Sequence, residues 1–139
     1  LIFHISKYLL SKGCGTSEPV NINGLKNFTK ITSPGYPNGY ERNLNCEWIF
    51  TTISMNRVAI YFTDMDLQPS YGSSCYGDYI EVFEKKTADW QSVIKTCHEN
   101  VTSRSFIYTS NMMKVIFKTD NYGNRTGFAA FVREGNSLT

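Results

Sequence analysis

Short β-forming runs separated by turn residues constrain this chain more than any other feature. They fall at residues 25–32, 46–52, 57–62, 78–83, 91–96, 105–109, 113–118 and 127–133. Several alternate cleanly: Val58, Ile60 and Phe62 share one side of their run, as do Met113, Val115 and Phe117. A period of two sets one face against a core and leaves the other to solvent. Between the runs stand Ser33-Pro34-Gly35-Tyr36-Pro37-Asn38-Gly39, Gln68-Pro69-Ser70-Tyr71-Gly72 and Asn121-Tyr122-Gly123-Asn124. There Pro fixes φ, and Gly or Asn reaches positive φ. The chain has no long helical stretch, internal repeat or low-complexity segment. This spacing predicts an all-β fold, an antiparallel β-sandwich. Its 139 residues suit one domain with a real core. An aromatic content of 14% excludes disorder.

The four cysteines are Cys14, Cys46, Cys75 and Cys97. None forms the close ligand pair usual in a zinc site, which leaves two disulfides. Three pairings are open. The sequential one closes loops of moderate length, and each bridge would contribute roughly 3 kcal/mol. Asn27-Phe28-Thr29, Asn100-Val101-Thr102 and Asn124-Arg125-Thr126 are N-glycosylation sequons. Beside an even cysteine count they point to a secreted or cell-surface glycoprotein. No window reaches the roughly 20 apolar residues of a membrane-spanning helix. Residues 1–13 open with an apolar stretch that carries His4 and Lys7 and lacks a signal-peptide cleavage pattern. They are read as a leader or interdomain linker, the chain then being an excerpt of a larger protein. A net charge of +2, with Lys12 and Lys85-Lys86 isolated, implies no polyanionic partner and excludes nucleic acid.

Four segments carry a resemblance. Ser33-Pro34-Gly35-Tyr36-Pro37-Asn38-Gly39-Tyr40 precedes Cys46-Glu47-Trp48-Ile49-Phe50. Phe62-Thr63-Asp64-Met65-Asp66-Leu67 precedes Cys75-Tyr76-Gly77-Asp78-Tyr79. Cys97 follows, and then Phe117-Lys118-Thr119-Asp120 with Gly127-Phe128-Ala129-Ala130-Phe131. In order and spacing these resemble the CUB domain, the extracellular module of complement and tolloid-type proteases, cubilin, neuropilins and spermadhesins. The resemblance places the domain at 14–134, with a tail at 135–139, and implies a jelly-roll-like sandwich with Cys14–Cys46 and Cys75–Cys97 disulfides. It also implies a calcium site. The family's ligand positions fall on Gln68, Asp78 and Asp120, with Tyr40 in support. Gln68 departs from the family's Glu by offering a neutral amide oxygen, which weakens a calcium site. Asp64 and Asp66 are the nearby carboxylates that could compensate. Without metal, Asp78 would accept backbone N–H groups and Asp120 would form an Asx-turn. Trp48 and Tyr79 are expected in the core. The loop tyrosines Tyr36, Tyr71 and Tyr122 are candidate contact residues.

The resulting expectation is a non-catalytic binding module that meets an extracellular protein or a neighbouring domain through its end loops. The alternative is a free-standing, spermadhesin-like protein that binds carbohydrate or glycosaminoglycan, which a clear basic patch would favour. An enzyme lacks support. His4 lies in the leader, His98 follows a disulfide cysteine, and no G-x-S-x-G, H-E-x-x-H or P-loop pattern is present.

Overall fold

The computed structural model describes residues 14–16, 18–24, 28–69, 74–97, 105–123 and 125–136. Among them are the strands β1 (Val20–Asn21), β2 (Thr29–Thr32), β3 (Asn45–Thr51), β4 (Arg57–Asp66), β5 (Tyr79–Lys86), β6 (Asp89–Thr96), β7 (Ile107–Tyr108), β8 (Met112–Lys118) and β9 (Gly127–Gly135). They form two facing sheets. One is five-stranded, in the order β1-β3-β8-β5-β6; the other is four-stranded, in the order β2-β9-β4-β7. All pairs are antiparallel except β1 with β3, which runs parallel through Val20↔Phe50 and Asn21↔Thr51.

The alternation read from the sequence is the alternation that builds the core. Trp48 and Phe50 from β3, Ile80 and Val82 from β5, and Met113, Val115 and Phe117 from β8 face inward from one sheet. Ile31, Val58, Ile60, Phe62, Phe128, Ala130 and Val132 face them from the other. Phe128 is the centre of this layer. Its ring meets Phe117 at 5.2 Å, Trp48 at 5.7 Å and Phe62 at 6.2 Å, each close to edge-on, the geometry that ring quadrupoles favour. The disulfides join Cys14 to Cys46 and Cys75 to Cys97, with Cα atoms 5.3 and 5.6 Å apart.

The run expected at 105–109 is a strand only over Ile107–Tyr108, and that expected at 25–32 is a strand over Thr29–Thr32, residues 25–27 lying outside the described residues; three further differences bear on the sheets. First, β1 carries no readable alternation because it is two residues long; its ladder to β3 and the Cys14–Cys46 bridge hold it. Second, β4 continues to Asp66. A register shift between Phe62 and Asp64 restarts the alternation, so Thr63 and Asp64 both face solvent while Met65 returns to the core. Third, β5 and β6 form a continuous hairpin closed by Thr87 and Ala88, and Thr87 takes a φ of 56°. A β-branched residue is rare there, and this turn lacks the Gly or Asn that usually announces one.

Candidate functional site

The candidate site forms where neighbouring strands begin and end together. β5 and β8 pair antiparallel with Tyr79 opposite Lys118. Asp78, just before β5, and Asp120, two residues past β8, therefore share one end of the sandwich. The Asp78 carboxylate is 1% exposed. One of its oxygens accepts the Tyr40 hydroxyl at 2.6 Å, and the other accepts the Asp120 backbone N–H at 2.8 Å. Tyr40, 2% exposed, lays its ring edge-on against Phe117 at 5.2 Å. Its hydroxyl also accepts the Gln68 backbone N–H at 2.9 Å. One buried phenol thus ties the loop after β4 to the carboxylate before β5.

Gln68 reaches the same end through its side chain. Gly123 has a φ of +63°, and a Cβ there would stand 2.9 Å from Gln68 Oε1. A side chain at 123 would be strained and would push the amide away. Asp120 Oδ1 accepts the Tyr122 N–H at 2.9 Å, which closes the expected Asx-turn. Thr119 secures the adjoining loop by accepting the Leu44 N–H at 2.7 Å and donating to the Glu41 carbonyl at 3.0 Å. The sequence reading did not single out Thr119, although it lies within the quoted Phe117–Asp120 segment.

Burial pushes the Asp78 carboxyl above its ordinary range, and Asp120 alongside pushes it further. The Tyr40 hydroxyl and the Asp120 N–H oppose that rise. Burial, and then the bond to Asp78, raise Tyr40 well above the ordinary phenol value. Neither Asp78 nor Asp120 forms a salt bridge among the described residues. The donors gathered here are all oxygens, as a hard divalent cation requires. Among the described residues, however, no three His, Cys, Asp or Glu side chains cluster as a metal site.

The two nearby carboxylates are otherwise engaged. Asp64 accepts the Tyr36 hydroxyl at 2.6 Å. Asp66 accepts the Thr126 N–H at 3.1 Å and its hydroxyl at 2.9 Å, with Arg125 3.7 Å away. Tyr36 is therefore half-buried and bonded, whereas Tyr122 is 74% exposed at the tip of its loop. Tyr71, Asn27, Asn100 and Asn124 lie outside the described residues. Trp48 is buried as expected, but Tyr79 is not. It has the parity opposite to Ile80 and Val82, so its ring lies on the outer face under Lys95, 4.1 Å from the ammonium.

Register also collects basic residues that are scattered in the sequence. Lys85, Lys95, Lys114 and Lys118 share the outer face of the five-stranded sheet with Tyr79, Phe83 and Trp90. Lys114 stands 4.8 Å from both Phe83 and Trp90, and Lys85 stands 5.7 Å from Trp90. Glu47 lies 3.9 Å from Lys114.

The CUB domain family matches residues 14–131. Cubilin from Sus scrofa is 33% identical over 101 residues, covering 73% of this chain and 3% of cubilin. Tolloid-like protein 2 from Mus musculus is 33% identical over 100 residues, covering 72% of this chain and 10% of that protein. The chain thus spans a small part of these relatives. Among solved structures, the CUB1-EGF-CUB2 domains of rat MASP-1 superpose with a TM-score of 0.67 at 28% identity, over 84% of this chain and 42% of that one. The MASP-1 CUB2 domain, solved bound to Ca2+, superposes with a TM-score of 0.66 at 24% identity, over 86% of this chain and 99% of that one. The sandwich, the two disulfides and the match across residues 14–131 agree: the chain belongs to the CUB domain family, a non-catalytic module.

Proposed function

We propose that this chain is a binding module of an extracellular protein. It meets a partner protein or a neighbouring domain through the loops around Asp78, Asp120 and Tyr122. A weakly held calcium ion braces those loops. The observation that carries the reading is the buried Asp78 carboxylate, held by Tyr40 and the Asp120 N–H beside a second carboxylate, with neither acid in a salt bridge among the described residues. Two adjacent carboxylates repel unless a cation or protons intervene. Asp78, Asp120 and the Gln68 amide oxygen would hold the ion, and Tyr40 orients Asp78. The ion would supply fixed positive charge that draws the loops together and offers open positions to a partner's oxygen ligand. The calcium-bound MASP-1 CUB2 structure supports this reading by analogy of fold. Two charges give a weaker site than three, so affinity belongs toward the 10⁻⁴–10⁻³ M range of extracellular modules.

Thermal melts in calcium and in chelator test the ion. A ligand that binds only the folded state raises the melting point once its concentration exceeds Kd. The melt should rise in about 10 mM calcium, above the expected Kd range. Identical melts in calcium and chelator would remove calcium from the reading. Gln68→Glu should then show whether the missing charge is the cause.

A second reading, a face for anionic carbohydrate, draws on one observation: Lys85, Lys95, Lys114 and Lys118 share a sheet face with three aromatic rings. Retention on a heparin column that Lys95→Ala and Lys118→Ala together abolish would favour it; elution with unretained protein would exclude it.

A further inference from the structure

The chain contains two Asn-Gly pairs, Asn23-Gly24 and Asn38-Gly39. An asparagine followed by glycine carries a labile amide, because no Cβ obstructs the approach of the next backbone nitrogen to the amide carbon. Both asparagines are exposed, so neither sequence nor exposure separates them. Hydrogen bonding separates them. The Gly24 N–H donates to Glu134 Oε1 at 3.1 Å. The other oxygen of that carboxylate accepts the Asn56 side-chain amide at 3.0 Å and the Thr52 hydroxyl, so the acceptor is itself fixed. A backbone nitrogen that donates to a carboxylate keeps both its proton and its position. The Gly39 N–H has no acceptor among the described residues. Its neighbours are bonded instead: the Asn38 N–H donates to the Gly35 carbonyl at 2.7 Å, and the Tyr40 N–H donates to the Arg125 carbonyl at 3.3 Å.

We propose that Asn38 is a self-modification site that converts to isoaspartate, loosening Tyr40, while Glu134 keeps Asn23 intact. The Gly39 nitrogen gives its proton to hydroxide and bonds to the Asn38 amide carbon. The side-chain carbon–nitrogen bond breaks, and the departing nitrogen takes a proton from water, leaves as ammonia and restores the hydroxide. Water then opens the cyclic imide. Opening at the backbone carbonyl frees that carbonyl as a carboxylate and routes the main chain through the former side chain. The net change is water in and ammonia out, with nothing oxidised or reduced. The product adds one carbon, about 1.5 Å, to the main chain. The loop has no slack to absorb it. Its bonds to Gly35 and Arg125 pin both flanks, and Gly35 packs so closely on the Gly39 carbonyl that a Cβ at 35 would collide with it. The displacement falls on Tyr40, two residues on, whose hydroxyl holds the Asp78 carboxylate and the Gln68 N–H.

The test ages the disulfide-bonded chain at body temperature in mildly alkaline buffer. Peptide mapping, with labelling by an isoaspartyl methyltransferase, reads each site. Folded wild type should convert at Asn38 at least about tenfold faster than at Asn23, the factor set by one hydrogen bond to a carboxylate. In urea the two sites should convert at similar rates. Glu134→Ala should bring Asn23 up to the Asn38 rate and leave Asn38 unchanged, whereas Glu134→Gln, which keeps an acceptor, should still protect Asn23. Aged wild type should melt about 4 °C below fresh protein, the scale of one hydrogen bond at this chain length. Aged Asn38→Gln should melt as it does when fresh. Equal rates in the folded protein, or faster conversion at Asn23, overturn the proposal. So does a tenfold ratio that persists in urea, because local sequence would then set the rates. Folded Glu134→Ala with Asn23 still protected overturns it too, as does an aged Asn38→Gln protein that loses as much as aged wild type. If Glu134→Ala does not fold, the folded and unfolded wild-type rates decide.

Discussion

Removing one oxygen atom should loosen the whole candidate site. Tyr40→Phe keeps the ring against Phe117 but deletes the hydroxyl that donates to Asp78 at 2.6 Å and accepts from the Gln68 N–H at 2.9 Å. A hydrogen bond to a charged group contributes about 1.5–3 kcal/mol, and an amide left without a partner costs about 1–3 kcal/mol when fully buried, less for the partly buried Gln68 N–H. The two losses share one atom and do not simply add, so we expect a loss of about 3 kcal/mol. At this chain length that corresponds to a fall of about 10 °C in the melting point. Urea unfolding of the variant, read by near-UV circular dichroism, measures it. Tyr36→Phe is the control, because it removes an equally short bond, to Asp64, that is open to solvent although the ring is half-buried; it should cost less than about 1 kcal/mol. A Tyr40→Phe protein within about 0.5 kcal/mol of wild type would refute the argument, since the phenol would then not be bracing Asp78 and Gln68.

Three further outcomes are expected. Asp78 has its folded pKa raised above the ordinary 3.8. Its contribution without metal is therefore fully present below 3.8 and lost as pH rises through the raised folded value. Asp78→Asn should remove that part of the pH dependence in metal-free melts. Stabilisation by calcium should grow over the same window, because the ion competes with the proton. Replacing both Cys75 and Cys97 by Ala opens a bridge spanning 22 residues of sequence and should cost about 3 kcal/mol by chain entropy, measured by denaturant titration. Phe128→Ala empties the centre of the aromatic layer and should cost about 3–5 kcal/mol in the same titration.

The strands facing the core were legible because period-two alternation reports burial directly, as in Val58–Phe62 and Met113–Phe117. The hairpin turn at Thr87–Ala88 was not legible, because its residues lack the usual turn chemistry and the strand pairing sets its conformation. Tyr79 misled because an aromatic residue near a strand start has no intrinsic side; its parity with Ile80 decides that it faces out. The site was legible only through the resemblance. Asp78 and Asp120 lie 42 residues apart in sequence, and their meeting depends on β5 and β8 being sheet neighbours. The lysine face was hidden for the same reason: no window of sequence contains it, and register alone assembles it.

The parallel seam between β1 and β3 has a mechanical consequence. Val20–Asn21 contributes a ladder of only two residue pairs, which a pull along the chain would open with little resistance. Cys14 lies upstream of that seam and is bonded to Cys46 at the start of β3. Tension arriving at Cys14 therefore passes through a covalent link into a strand at the interior of the five-stranded sheet, and the short ladder is bypassed. β3 is paired to β8 through seven residues, so the load is spread in shear along that ladder and its bonds must yield together. The bridge turns one of the two shortest edge ladders of the sandwich into an anchoring point.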